Sequence, residues 1–163
     1  MATRKNGYSG LQIGLHWVIA ILVIAAWFTS EGMGDALEAR NAAGRTGIDG
    51  NTMHVWLGGS VFSLTILRLI VRRIKGAPPA PAGTSAFMEM AAKWGHGIVY
   101  AFLILVPLGG SLAWYGGIEG VGDGHEIFAN VFMIVVLGHA GIAIVHQVLW
   151  KDGTLTRMLK PQG

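Results

Sequence analysis

Residues 125–150 read HEIFANVFMIVVLGHAGIAIVHQVLW. Beyond Glu126 the stretch contains no Asp, Glu, Lys or Arg. A helix crossing the hydrocarbon core of a bilayer needs about 20 mostly apolar residues, and this run supplies them. Yet it carries His125, His139 and His146. An ionisable side chain in lipid is costly, so it marks a functional site by default. His125 and His139 lie fourteen positions apart. Fourteen helical steps of about 100° end about 40° from the start and about 21 Å further along. One helix therefore presents two imidazoles on one face at two depths.

Working outward, Leu11–Ser30, Met53–Ile74 and Gly97–Tyr115 have the same apolar character, and with Ile127–Trp150 they make four spans. The 163 residues are 52% apolar and 13% charged, with a mean hydropathy of +0.51. Those values exclude a disordered chain and argue against an ordinary soluble domain. The 25 glycines follow no collagen-like period, and glycine is frequent in transmembrane helices. Thr84 or Ser85 is placed to N-cap the third helix, which then begins before its apolar part. Pro107 predicts a kink in that helix, and Gly76–Gly83, with Pro78, Pro79 and Pro81, reads as a linker. Arg4 and Lys5 resemble the start of a signal peptide. The apolar stretch that follows is too long and lacks a small-x-small site, so a retained helix is expected. The expected fold is all-α: one four-helix transmembrane bundle over 1–163, with helices at about 11–30, 53–74, 85–115 and 125–150.

Charge sets the expected orientation. Arg4, Lys5, Arg68, Arg72, Arg73, Lys75, Lys93, Lys151, Arg157 and Lys160 fall on the side of the two termini, leaving Arg40 and Arg45 on the other. That other side holds Glu31, Asp35, Glu38, Asp49, Glu119, Asp123 and Glu126. The positive-inside rule places both termini in the cytoplasm. The basic clusters flank spans and form no nucleic-acid motif.

With this orientation the histidines fall at two levels. His54 and His125 open their helices on the outer side. His16 lies near the inner end of the first helix, His96 opens the third on the inner side, His139 is deep in the bilayer, and His146 is near the inner end of the fourth. Outside, His54 faces His125; inside, His16 has either His139 or His146. Two bis-histidine sites stacked in a bundle suit a transmembrane electron path. Gly14, Gly58, Gly59, Gly138 and Gly141 near these histidines leave room for a flat macrocycle, although small residues also serve plain helix packing. Arg68 shares the His54 face fourteen positions on, placed either to pair with a carboxylate of such a group or to snorkel to the interface. Trp17, Trp56, Trp94, Trp114, Tyr115 and Trp150 read as headgroup-level belts against membrane lipid. Trp150, beside Lys151, also suits the wall of a quinone pocket.

With no cysteine there is no disulfide, thiolate metal site or covalent haem motif. No glycine-rich nucleotide loop, P-loop, zinc-protease motif or nucleophile elbow occurs.

Six motifs together carry a resemblance: Leu11-Gln12-Ile13-Gly14-Leu15-His16-Trp17, Met53-His54-Val55, Gly95-His96-Gly97-Ile98-Val99-Tyr100, His125-Glu126-Ile127-Phe128-Ala129-Asn130, Gly138-His139-Ala140, and the run from Trp150 to Met158, WKDGTLTRM. Over nearly its full length the chain resembles the bacterial cytochrome b561 family, including its superoxide oxidase type. The resemblance implies two non-covalent haem b groups, with His16 and His139 as ligands of the inner and His54 and His125 of the outer. It chooses His139 over His146. It also implies ubiquinone at the inner side, with His96 and His146 relaying protons to it, and an inner-membrane location. The superoxide oxidase type implies electrons taken from periplasmic superoxide. The seven outer acids depart from that pattern, because a surface collecting an anion should be positive; they suit a basic redox protein equally well. Two other functions compete: an electron-transfer anchor for a periplasmic dehydrogenase or hydrogenase, and a histidine-lined metal or proton transporter.

Overall fold

The computed structural model describes residues 7–81 and 83–161; Arg4 and Lys5 of the basic count lie outside them. Five α-helices follow one another: α1 (Gly10–Phe28), α2 (Met33–Ala42), α3 (Met53–Lys75), α4 (Ala86–Gly116) and α5 (Glu119–Val145). Four of them, all but α2, are long and apolar enough to span a membrane.

Local chemistry explains the boundaries. Ser9 and Gln12 form a capping box at the start of α1, satisfying donors that the first turn would leave open. Thr52 caps α3 through the Val55 amide, and Ser85 caps α4 through that of Met88. Of the two caps offered by the sequence, Ser85 is the one used. Gly76 and Gly117, at φ 74° and 66°, end α3 and α4 in conformations that glycine adopts without strain.

Two expectations are corrected. The connection between the first two spans, 29–52, is not simply a loop: α2 folds within it. It is short and polar, so hydropathy does not mark it. Instead, Leu37 buries itself against Ala113 and Trp114. The fourth span begins at Glu119 rather than near 125, so His125 sits inside the helix and not at its start. The glycine-rich 119–124 run is a poor helix by propensity, but Glu119 suits the positive end of the dipole, and Gly122 lies where a Cβ would come 3.3 Å from Leu37.

The spans run up and down. α1 packs on α3, α3 on α4 and α4 on α5; Trp27 of α1 donates to the Asn130 side chain of α5 at 3.2 Å and closes the ring. Ile19, Val23, Val61, Leu103 and Phe132 form the central core, with Phe102 stacked on Phe132. On α5 the plug residue Phe132 lies midway between His125 and His139. Ile21, Ile74, Leu105, Ile134 and Leu137 remain well exposed on the outside, a face that only lipid would cover. One end of the bundle gathers the start of α1, the end of α3, the linker and the C-terminal segment: Gln12 donates to the Gly76 carbonyl and Arg157 to that of Pro79. This is the basic end. The other, acidic end carries α2 and the short turn at 117–118.

Candidate functional site

The structure brings the histidines together across helices. At the acidic end His54 of α3 and His125 of α5 face each other with ring centroids 6.0 Å apart. Toward the basic end His16 of α1 and His139 of α5 stand 6.3 Å apart. All six histidines are half-buried. A metal bonded at about 2 Å to one nitrogen of each of two opposed imidazoles, each nitrogen about 1.1 Å from its ring centre, would set the centroids about 6.2 Å apart. Both pairs meet that spacing.

The acidic-end pair is oriented by backbone. The His54 Nδ1–H donates to the Ala26 carbonyl at 2.8 Å, and the His125 Nδ1–H to that of Val106 at 2.9 Å. A carbonyl can only accept, so both rings carry their proton on Nδ1 and leave Nε2 as a lone-pair donor. Gly110 makes this possible for His125: a Cβ there would come within 3.0 Å of the ring. At Gly58 and Gly59 a Cβ would meet nothing within 4 Å. Both border a cavity of about 950 Å³ with His54 and His125 in its wall, which is the size range of large-ligand pockets. Glu31, Glu38, Glu119, Asp123 and Glu126 also line it.

Of the two basic residues on that side, Arg40 is 5% exposed. Its guanidinium donates to the carbonyls of Trp114, Gly47 and Asp49 and lies 4.9 Å from the Trp114 ring centroid. It staples the α2 loop to α4. Asn51 adds to the staple, accepting from Trp114 Nε1 and donating to the Tyr115 hydroxyl. These two aromatics, expected as belt residues, hold the loop.

At the basic-end pair, Arg68 donates to the Tyr100 hydroxyl at 3.1 Å and to the Gln12 carbonyl at 2.9 Å. Gln12 lies about one turn before His16 on α1, so the bond to its carbonyl sets the cation beside this pair. The ring of His96 lies 5.5 Å from that of His139, and its Nδ1–H donates to the Ala92 carbonyl one turn earlier. His96 thus belongs to the His139 neighbourhood. His146 is held elsewhere: it contacts the Trp150 ring at 4.3 Å, and its Nδ1–H donates to Asp152 at 2.5 Å. Among the described residues no hydrogen bond or ring contact joins His96 to His146. Partial burial pushes the Asp152 carboxyl up, but hydrogen bonds from His146 and Thr154 outweigh it and hold the group below its ordinary 3.8. Thr65 is fully buried on the His54 face of α3, and its hydroxyl has no partner among the described residues.

Sequence reasoning missed Gly110, Arg40 and Asp152. The Gly109-Gly110 pair just after Pro107 was the available signal for the first. Asp152, six positions after His146, has no helical spacing that would betray it.

A family model described as prokaryotic cytochrome b561 matches residues 7–161. The chain is 37% identical to cytochrome b562 of Cereibacter sphaeroides, covering 98% of this chain and 99% of that protein. It is 28% identical to the probable superoxide oxidase CybB of Yersinia pestis, over 93% and 95% of the two chains. It is 27% identical to cytochrome b561 homolog 1 of Escherichia coli, over 94% and 97%. With four apolar spans, paired histidines at two levels and a match along almost its whole length, the chain belongs to the prokaryotic cytochrome b561 family, multi-pass electron-transfer proteins of the bacterial inner membrane that carry haem b.

Proposed function

We propose that this chain is a di-haem cytochrome that moves electrons from a periplasmic donor, at its acidic end, to ubiquinone at its basic, cytoplasmic end. The observation that carries the reading is the pair of imidazole couples, 6.0 and 6.3 Å between centroids, at two depths of one bundle. His54 with His125 would hold one haem b and His16 with His139 the other, non-covalently, since the chain has no cysteine. Bound there, haem would supply one-electron chemistry at an iron held by the two histidines of each couple.

The protein's own groups do the rest. The Ala26 and Val106 carbonyls hold His54 and His125 in the tautomer that presents Nε2. Arg68, fixed by Tyr100 and the Gln12 carbonyl, offers a cation beside the inner pair for a propionate. His96 and His146 are imidazoles at the basic end, suited to passing protons to a quinone as it gains electrons. Trp150 gives an aromatic wall for its ring.

The donor follows from the acidic end. The Yersinia relative's name points to superoxide. The five carboxylates at the cavity and the burial of Arg40 favour a second donor, a basic redox protein. Salt separates them: screening speeds reduction by an anion and slows reduction by a cationic protein.

The primary test is a reduced-minus-oxidised spectrum of the purified chain with its haem content. About two b-type haems per chain are expected. One haem per chain would mean that one histidine couple is wrongly assigned, and a chain purified without haem would end the reading.

A further inference from the structure

The C-terminal end of α5 is built in an unusual way. From His146 to Trp150 the helix widens into a π turn, a feature that gathers at functional sites. Lys151 follows at φ 51°, the one non-glycine residue with positive φ among the described residues. This left-handed step reverses the chain so that Asp152 turns back on His146. One Asp152 oxygen accepts from His146 Nδ1–H at 2.5 Å, and the other accepts from the Thr154 amide at 2.9 Å. Both oxygens are engaged, so the carboxylate cannot leave the ring without opening the turn. The side chains are 20% and 23% exposed, too enclosed for a casual surface ion pair. The segment beyond is pinned to the bundle: Trp17 Nε1–H donates to the Met158 carbonyl at 2.7 Å, and Arg157 donates to that of Pro79 at 2.8 Å. Arg157 is thus directed at a carbonyl and away from Asp152.

We propose that Asp152 is a positioning residue for His146, fixing the proton on Nδ1 so that Nε2 is the atom that exchanges a proton with the quinone. The inference rests on the quinone reading above. A carboxylate on one imidazole nitrogen orients the ring, fixes the tautomer and stabilises the imidazolium form. In the step itself, the Nε2–H bond of the imidazolium breaks and an O–H bond forms on a quinone oxygen. The ring becomes neutral and Asp152 remains a carboxylate. Complete reduction takes two electrons, supplied through the haem b, and two protons. His146 delivers one proton per passage and recovers it from the aqueous phase at the basic end. The other titratable groups at this end are Lys151, Arg157 and Lys160 on the same segment, Tyr8 and His16 of the α1 end, Arg68, Arg72, Arg73 and Lys75 of α3, Glu89, Lys93, His96 and Tyr100 of α4, and His139 of α5; the 76–85 linker carries none.

The test uses the haem-loaded full chain, chemically reduced and mixed with a short-chain ubiquinone while haem reoxidation is followed. Asp152→Asn keeps an oxygen for the Thr154 amide and removes the charge. It is expected to lower the maximal rate about 10- to 100-fold, with the half-saturating quinone concentration changed by less than about twofold. Asp152→Glu should recover most of the rate. In 15N spectra His146 should pass from the Nδ1–H tautomer to a mixture in Asp152→Asn, a change that loss of a mere turn contact would not produce. An unchanged rate and tautomer in Asp152→Asn, with His146→Ala slow, would overturn the positioning role alone. An unchanged rate in His146→Ala would overturn the quinone reading at this end, and the proposal with it.

Discussion

Gly110 is where the acidic-end site is most exposed to a single methyl group. A Cβ at this position would lie 3.0 Å from His125 Cε1, 3.2 Å from Nδ1 and 3.3 Å from Nε2. All three atoms belong to one rigid ring held by its 2.9 Å bond to the Val106 carbonyl, so the ring cannot yield without loosening that bond or leaving the line toward His54. Overpacking of this kind costs about 1–3 kcal/mol, which is about 5- to 150-fold in an equilibrium constant. Gly110→Ala should therefore weaken haem retention at the acidic-end pair by that factor and leave the His16–His139 pair loaded. Gly109→Ala is the matched control, because a Cβ there meets only the His125 Cβ, at an ordinary 3.9 Å. Haem content per chain after extended washing, with the midpoint of each b-type signal, reads the difference. If Gly110→Ala retained both haems with both midpoints unchanged, or if Gly109→Ala were equally damaging, the role assigned to Gly110 would be wrong.

Three further outcomes are expected. His139→Ala should remove one haem, while His146→Ala should keep both and slow quinone reduction; loss of a haem in His146→Ala would reverse the assignment of the two residues. Arg40→Met leaves the Trp114, Gly47 and Asp49 carbonyls without their cationic donor and should destabilise the α2 loop by about 1.5–3 kcal/mol, seen as faster amide exchange over 43–51 with exchange in the spans unchanged. Because the Asp152 carboxyl is held below 3.8, its contribution to docking of the C-terminal segment is fully present above that value. It is lost as pH falls through the lowered one, so fluorescence of Trp17 and Trp150 should stay constant down to about pH 4 and change below it.

Much of the architecture is legible in the order of residues alone. The four spans, the early start of the third helix at Thr84 or Ser85 and the charge difference between the two ends all follow from local composition. So does the face shared by His125 and His139. The short helix α2 and the early start of α5 were not legible, because neither has an apolar period of its own. They form where Leu37, Gly122, Ala113 and Trp114 meet. The site divides in the same way. His54 and His125 could be matched by depth alone, whereas His139 and His146 could not be told apart by spacing, since both lie in the half of one span toward the basic end.

By itself the sequence determined that this chain lies in a membrane, how many times it crosses, and that histidines stand at two levels. Hydropathy, helical period and charge are properties of neighbouring residues, and a bilayer reads them one segment at a time. Only the tertiary structure decided which imidazoles face each other, that His96 lies beside His139, that Gly110 gives way to a ring, and that Asp152 reaches back to His146. Those contacts depend on how each helix is rotated against its neighbours and where a chain turns after its last residue, and packing among distant segments fixes both.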